Sequence, residues 1–173
     1  MKFSDYITYF EMAAINHKVI AHDPNNDHYS FYKLEDILNG MSLKNKHLCM
    51  LVESTETKTD DEKSDNLRKM KTGSIAILKP VKPDDVADLM TVLDLTEEVA
   101  EDIASKILND TRKSKSTTKP TIPIIVEPSS IRITPLGPML DNHYGWKVAF
   151  TINSRFSNGL QLDENKWNNE TKF

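Results

Sequence analysis

The clearest pattern along the chain is a helical stripe. Val86, Leu89, Leu93, Ala100, Ile103 and Ile107 recur at helical spacing, and Met90, Val99 and Leu108 widen the apolar face. Pro83, Asp84 and Asp85 suit the N-terminal turn of such a helix, while Arg112, Lys113 and Lys115 suit its C-terminal end. The spacing predicts a helix of roughly 28 residues, about 42 Å long at 1.5 Å per residue. A break near "DLTEE" stays open, because Asp94 or Thr96 can cap a second helix. A shorter helix is predicted at the start, where Ser4 can cap a run with Tyr6, Ile7, Phe10, Ala13 and Ala14 on one face, fading at Asn16 and His17.

The remaining segments read as strands, turns and one more short helix. "KVIAH" and "HYSFYKL" flank the turn formers "DPNND" and predict a small hairpin. "KLEDILNGM" predicts a two-turn helix, with Gly40 in the left-handed conformation just past its end. "HLCMLVES" and "GSIAILKPV" are continuous apolar runs of strand length, as expected where both faces of a strand are covered. "TETKTDDEKSDN" between them has no apolar residue, which predicts antiparallel partners joined by a long solvated excursion. After the polar connector "SKSTTKP", the segments "TIPIIVEP" and "SIRITP" read as extended, and Pro123, Pro128 and Pro135 confine them to kinks or sheet edges.

The stretch "LGPMLDNHYGWKVAFTIN" then turns at Gly137 to Gly145 and enters a strand. Trp146, Val148, Phe150 and Ile152 face a core there, and Lys147, Ala149, Thr151 and Asn153 face away. The whole pattern predicts one α+β domain over residues 1–154, a mainly antiparallel sheet packed on one long helix with short N-terminal helices. Residues 155–173 shift to Asn and charge, and such a segment cannot bury enough surface alone to offset its ordering entropy. They are expected to form an extended C-terminal tail, in which Leu160, Leu162, Trp167 and Phe173 are candidate contacts to a neighbouring subunit or partner.

Composition narrows the class. The 173 residues, 38% of them hydrophobic, supply one core and not two. A net charge of -4 argues against a broad basic face that wraps nucleic acid, though not against a protein that lets DNA pass by. The single cysteine, Cys49, sits inside an apolar run and reads as a small buried hydrophobe. Asp5 and Glu11 interrupt the apolar centre that a signal peptide needs, and no window approaches the roughly 20 apolar residues of a membrane span. A soluble protein used in the cytoplasm, or packed into a particle there, is the expectation.

Candidate chemistry is sparse. No Gly-rich phosphate loop, helical His pair, paired-Cys site or Gly-x-Ser-x-Gly elbow is present. His22, Asp23, Asp27 and His28 in "HDPNNDH" are the best metal candidates, but turn chemistry accounts for the same residues. "TDDEKSDN" lacks the alternating ligands and central glycine of a calcium loop. His143, beside Tyr144, reads as a turn residue. The expectation is no catalytic, cofactor or metal site and no enzyme activity. Thr55 to Asn66 is a charge run in which Glu56, Asp60, Asp61, Glu62 and Asp65 outnumber Lys58 and Lys63, a net of -3.

The series "HLCMLVES", "SDNLRKMKTGSIAIL", the helix ending "IASKILND" and "LGPMLDNHYGWKVAFTI" is similar to a family of small proteins encoded among the neck and tail genes of phages and prophages of Bacteroides-type bacteria. The likeness spans residues 20 to 153, and its most specific element is the Gly-Pro-x-x-Asp-Asn-x-Tyr-Gly-Trp run at 137 to 146. The order of strands and helix also resembles tail-terminator and tail-completion proteins, whose α+β protomers form rings around the DNA channel.

The resemblance implies a structural virion protein that performs no reaction and needs no cofactor. It implies a homo-oligomeric ring at the head-tail connection or tail terminator, touching neighbouring neck, portal-side or tail proteins, with DNA passing through the lumen without sequence-specific binding and with no membrane partner. On that reading Lys58, Asp60, Asp61, Glu62 and Lys63 form a channel-facing loop whose acid excess keeps DNA phosphates from adhering. A non-ring assembly factor such as a tail chaperone, or a host-directed binding protein, is the alternative.

Overall fold

Two strands of 13 residues form the spine of the computed structural model, which describes residues 2–25, 30–34, 47–60, 68–116, 125–139 and 142–155. In chain order the elements are α1 (Phe3–Asn16), β1 (Phe31–Lys33), β2 (Cys49–Val52), β3 (Glu56–Asp60), β4 (Arg68–Pro80), α2 (Val86–Ser116), a 3-10 turn (Pro128–Ser130), β5 (Arg132–Met139) and β6 (His143–Arg155). The spine strands β4 and β6 pair antiparallel in unbroken register, from Arg68 opposite Arg155 to Pro80 opposite His143. The sheet order is β1-β2-β4-β6-β5, with β3 added beside the first half of β4. Because β1 runs parallel to β2 while the other pairs are antiparallel, the six-stranded sheet is mixed. With the two α-helices among the described residues it makes a single small α+β domain.

The period-2 pattern decides which side chains meet the helices. Met50, Val52, Ile75, Ile77, Val148, Phe150 and Ile152 share the face that α1 and α2 cover, and all are buried. Helix α1 contributes Tyr6, Phe10, Ala13 and Ala14, and the Tyr6, Phe10 and Phe150 rings pack together with centroids 5.1 to 6.3 Å apart. Gly73 leaves room for this packing, since a Cβ there would lie 2.8 Å from the Tyr6 hydroxyl, which donates to the Ser74 carbonyl. The opposite face buries a smaller cluster of Tyr32, Cys49, Leu51, Ala76 and Leu78. Apolar residues on both faces explain why "HLCMLV" and "SIAIL" are unbroken hydrophobic runs.

Several local expectations change. Helix α1 is capped by Lys2, whose backbone N–H donates to the Asp5 carboxylate at 2.9 Å, so Ser4 lies inside the first turn. "KVIAH" forms no hairpin strand. Residues 18–20 turn, and Ser30 fastens this loop by donating from Oγ to the Ile20 carbonyl and from its N–H to His22 Nδ1. These side-chain bonds replace a ladder, and β1 finds β2 instead. The excursion after β2 is not all loop, because Glu56–Asp60 add a strand to β4. His143 sits buried on β6, not in a turn, and β5 continues through Gly137 and Pro138 before the chain reverses. Past Leu34, the short helix expected in "KLEDILNGM" lies outside the described residues, as does the tail after Arg155.

Helix α2 is continuous through "DLTEE". Thr96 caps nothing; its Oγ1 donates back to the Val92 carbonyl at 2.7 Å. The apolar stripe is buried at Val99, Ala100, Ile103 and Ile107 but not over the first turns of the helix. The buried positions of α2 include Val92, Val99, Ala100, Ile103 and Ile107, together with the polar Thr96, Asp110, Thr111 and Ser114. Val86 and Met90, expected in the core, are 73% and 56% exposed. Each of three buried polar residues has a partner that makes its burial tolerable. Thr96 bonds its own helix, Asp110 accepts from Tyr9 at 2.8 Å and pairs with Lys106 at 2.7 Å, and Thr111 Oγ1 accepts from the Val126 N–H.

Candidate interaction surface

The run at 137 to 146 builds a corner where β5, β6, the end of β4 and the start of α2 meet. Gly137 has φ 135, a region side-chain-bearing residues rarely adopt, and a Cβ there would lie 2.7 Å from the Tyr144 ring. Asn142, with φ 67, exchanges two bonds with Val81: its Nδ2 donates to the Val81 carbonyl at 2.7 Å and its own carbonyl accepts the Val81 N–H at 3.0 Å. Gly145 lies so close to β4 that a Cβ would fall 1.9 Å from the Ile77 carbonyl oxygen. Trp146 Nε1 donates to the Leu93 carbonyl at 3.0 Å and ties β6 to α2. These residues hold backbone together.

Beside the corner lies an open groove of about 350 Å³, lined by residues 81–86 with Leu89, Asn142 and Tyr144. Val86 and Met90 stand exposed next to it, at i, i+4 spacing on one ridge of α2. Carboxylates surround this apolar ridge: Asp84, Asp94 and Glu98 are exposed, and Asp85 and Asp88 are half-buried. Two of them organise the helix start, since Asp85 Oδ1 accepts the Asp88 N–H and Asp88 Oδ2 accepts the Lys82 N–H. Sequence reasoning placed Val86 and Met90 inside; the signal against that was the density of acids around them.

The sheet edges offer poorer contacts. Strand β5 carries Pro135 and Pro138 on the outer edge, and β3 presents Glu56 and Lys58, both exposed. Prolines and charges at an edge disfavour pairing with another strand.

Groups with chemical potential are tied down. Burial pushes the Cys49 thiol up to about 12, so it stays protonated and poorly nucleophilic at neutral pH. Burial, reinforced by the Asp110 carboxylate, holds the Tyr9 hydroxyl above the ordinary tyrosine range. Glu53 accepts a hydrogen bond from Ser74 Oγ on the same oxygen that pairs with Lys147 at 2.6 Å, which knits β4 and β6 to the end of β2. Among the described residues no cluster of three or more His, Cys, Asp or Glu side chains is placed to hold a metal ion. His22 accepts from Ser30, Asp23 accepts from Asn25 in a turn, and Asp27 and His28 lie outside the described residues.

Of the candidate channel residues, Lys58 and Asp60 fall on β3, paired in register with Met70 and Arg68, while Asp61, Glu62 and Lys63 lie outside the described residues. Arg68, Lys69 and Lys71 on the adjoining strand balance the -3 of residues 55–66, so residues 55–72 are neutral as a unit. Leu160, Leu162, Trp167 and Phe173 lie outside the described residues. No helix among the described residues is long and apolar enough to cross a membrane. The chain matches no protein-family model, no curated protein and no solved structure.

Proposed function

We propose that this chain is a structural protein of a bacteriophage particle, a tail-terminator-like protomer that forms an oligomeric ring at the head-tail connection or tail end, around the DNA channel. The observation that carries the reading is the fate of the 137–146 run. Gly137, Asn142, Gly145 and Trp146, the residues through which the chain resembles phage neck proteins, are all spent on one structural corner. Residues spent on architecture suit a protein that works by shape. The exposed apolar ridge of Val86 and Met90 beside that corner supports it further, since a scaffold protomer needs surfaces for its neighbours. In this role the protein catalyses no reaction and binds no cofactor. DNA passes it without sequence-specific contacts.

Sedimentation and light scattering of the purified chain across concentration, alone and with neck proteins of the same particle, test the reading. Self-association to a closed multimer is expected. A chain that stays monomeric under every condition and is missing from purified particles contradicts it.

A further inference from the structure

The charges on α2 are sorted along its length. Residues 82 to 102 carry Lys82 alone against eight carboxylates, whereas residues 103 to 116 carry four basic side chains against Asp110 alone. The helix macrodipole favours acids in the first turn and bases in the last, but its influence falls off within a turn. It therefore accounts for Asp84, Asp85 and Asp88 and not for the acids from Asp94 onward. Those acids also oppose the helix locally: Asp94 and Glu98, Glu97 and Glu101, and Glu98 and Asp102 are like-charged i, i+4 pairs, each unfavourable in an isolated helix. Of these acids, Asp102 lies 3.4 Å from His17 Nε2.

The two halves of α2 lie at opposite ends of the molecule. Leu93 is tied to Trp146 near the start of β6, and Thr111 is tied to Val126, which bridges Ile152 near its end. From Leu93 to Thr111 the helix rises about 27 Å. The end that holds exposed Arg112, Lys113 and Lys115 is also where the β4–β6 register places Arg68 and Arg155 opposite one another. The other end holds the acids and the exposed Val86 and Met90.

We infer that the acidic half of α2, centred on Val86 and Met90, docks on the basic end of α2 in a second copy of this chain, head to tail. The partner is fixed by charge complementarity: the same molecule carries the matching surface at its far end. Contacts between two unlike patches are heterologous and close into a ring when the rotation permits. This inference rests on the proposed ring reading and specifies the contact that builds it.

The test uses two full-length variants. One carries Asp94→Lys, Glu98→Lys and Glu101→Lys; the other carries Arg112→Glu, Lys113→Glu and Lys115→Glu. All six positions are exposed, and circular dichroism checks that each variant keeps the wild-type helix content. Each variant alone is expected to need about tenfold more protein than wild type for half-assembly, and an equimolar mixture is expected to recover the wild-type value, because the reversed ends complement each other. Wild-type assembly is also expected to weaken as salt rises. If wild type forms rings but the single variants assemble equally well, or the mixture is no better than either variant, the ring reading stands and this contact is wrong. A mass that stops at two copies identifies an antiparallel twofold pairing and overturns the head-to-tail contact. A wild-type chain monomeric at every salt and concentration overturns both.

Discussion

A methyl group on Gly145 would lie 1.9 Å from the Ile77 carbonyl oxygen, a backbone atom held in the β4–β6 ladder. Gly145→Ala must therefore part the two central strands, and it is expected to cost about 3 kcal/mol or more, read as a lower urea midpoint. A midpoint within error of wild type would show that the strands are not so close. Tyr9 tests the tie between α1 and α2. Tyr9→Phe removes the bond to Asp110 and is expected to cost about 1–2 kcal/mol at neutral pH. Since the folded state keeps the Tyr9 proton above the 10.0 of a free tyrosine, its contribution is complete below that pH and is lost as pH rises past it. Urea midpoints measured from neutral to strongly alkaline pH should fall less steeply in Tyr9→Phe than in wild type, and parallel slopes would contradict the assignment. The glycines of the 137–146 run were legible as punctuation. Which backbone each one admits was not, because the contacts of Gly145 come from a strand nearly 70 positions earlier.

At the scale of elements, α2 was legible as a helix, and its stripe was right for Val99, Ala100, Ile103 and Ile107 but not for its first turns. Thr96, Asp110, Thr111 and Ser114 sit on its buried side, each in a place a hydrophobic pattern assigns to water; Thr96 bonds back to its own helix, while Asp110 and Thr111 are held by partners from α1 and from Val126. Val86 and Met90 fit the period but are exposed. Met90→Asp is accordingly expected to leave the unfolding free energy from urea titration within about 0.5 kcal/mol of wild type, a shift that a core methionine would far exceed. Trp146→Phe, by contrast, removes the bond to the Leu93 carbonyl. Amide exchange is expected to speed up in the first three turns of α2 and to hold steady beyond Ile107; uniform change along the helix would mean that Trp146 is not its anchor. The parallel pairing of β1 with β2 was out of reach for a related reason. Turn formers at "DPNND" signal a reversal, whereas the strand that receives β1 is chosen by packing against Met50 and Val52.

For the whole molecule, one α+β domain with its core on the helix-covered face followed from the alternation and the apolar runs. The surfaces did not, since exposure depends on where the sheet ends. The charges around β3 show this: Glu56–Asp60 pair with a stretch of β4 that carries Arg68, Lys69 and Lys71, and residues 55–72 sum to zero. Replacing Asp60, Asp61 and Glu62 with Lys should leave assembly intact and slow DNA ejection on the proposed channel-facing reading, and unchanged ejection kinetics would argue against that reading. The central claim, a ring protein of a phage particle, is tested most directly by cryo-electron microscopy of purified particles. The expected result is a closed ring of this fold on the channel axis, with unlike ends of α2 meeting between neighbours. Particles that lack the chain, or that hold it as single copies away from the axis, would contradict the account.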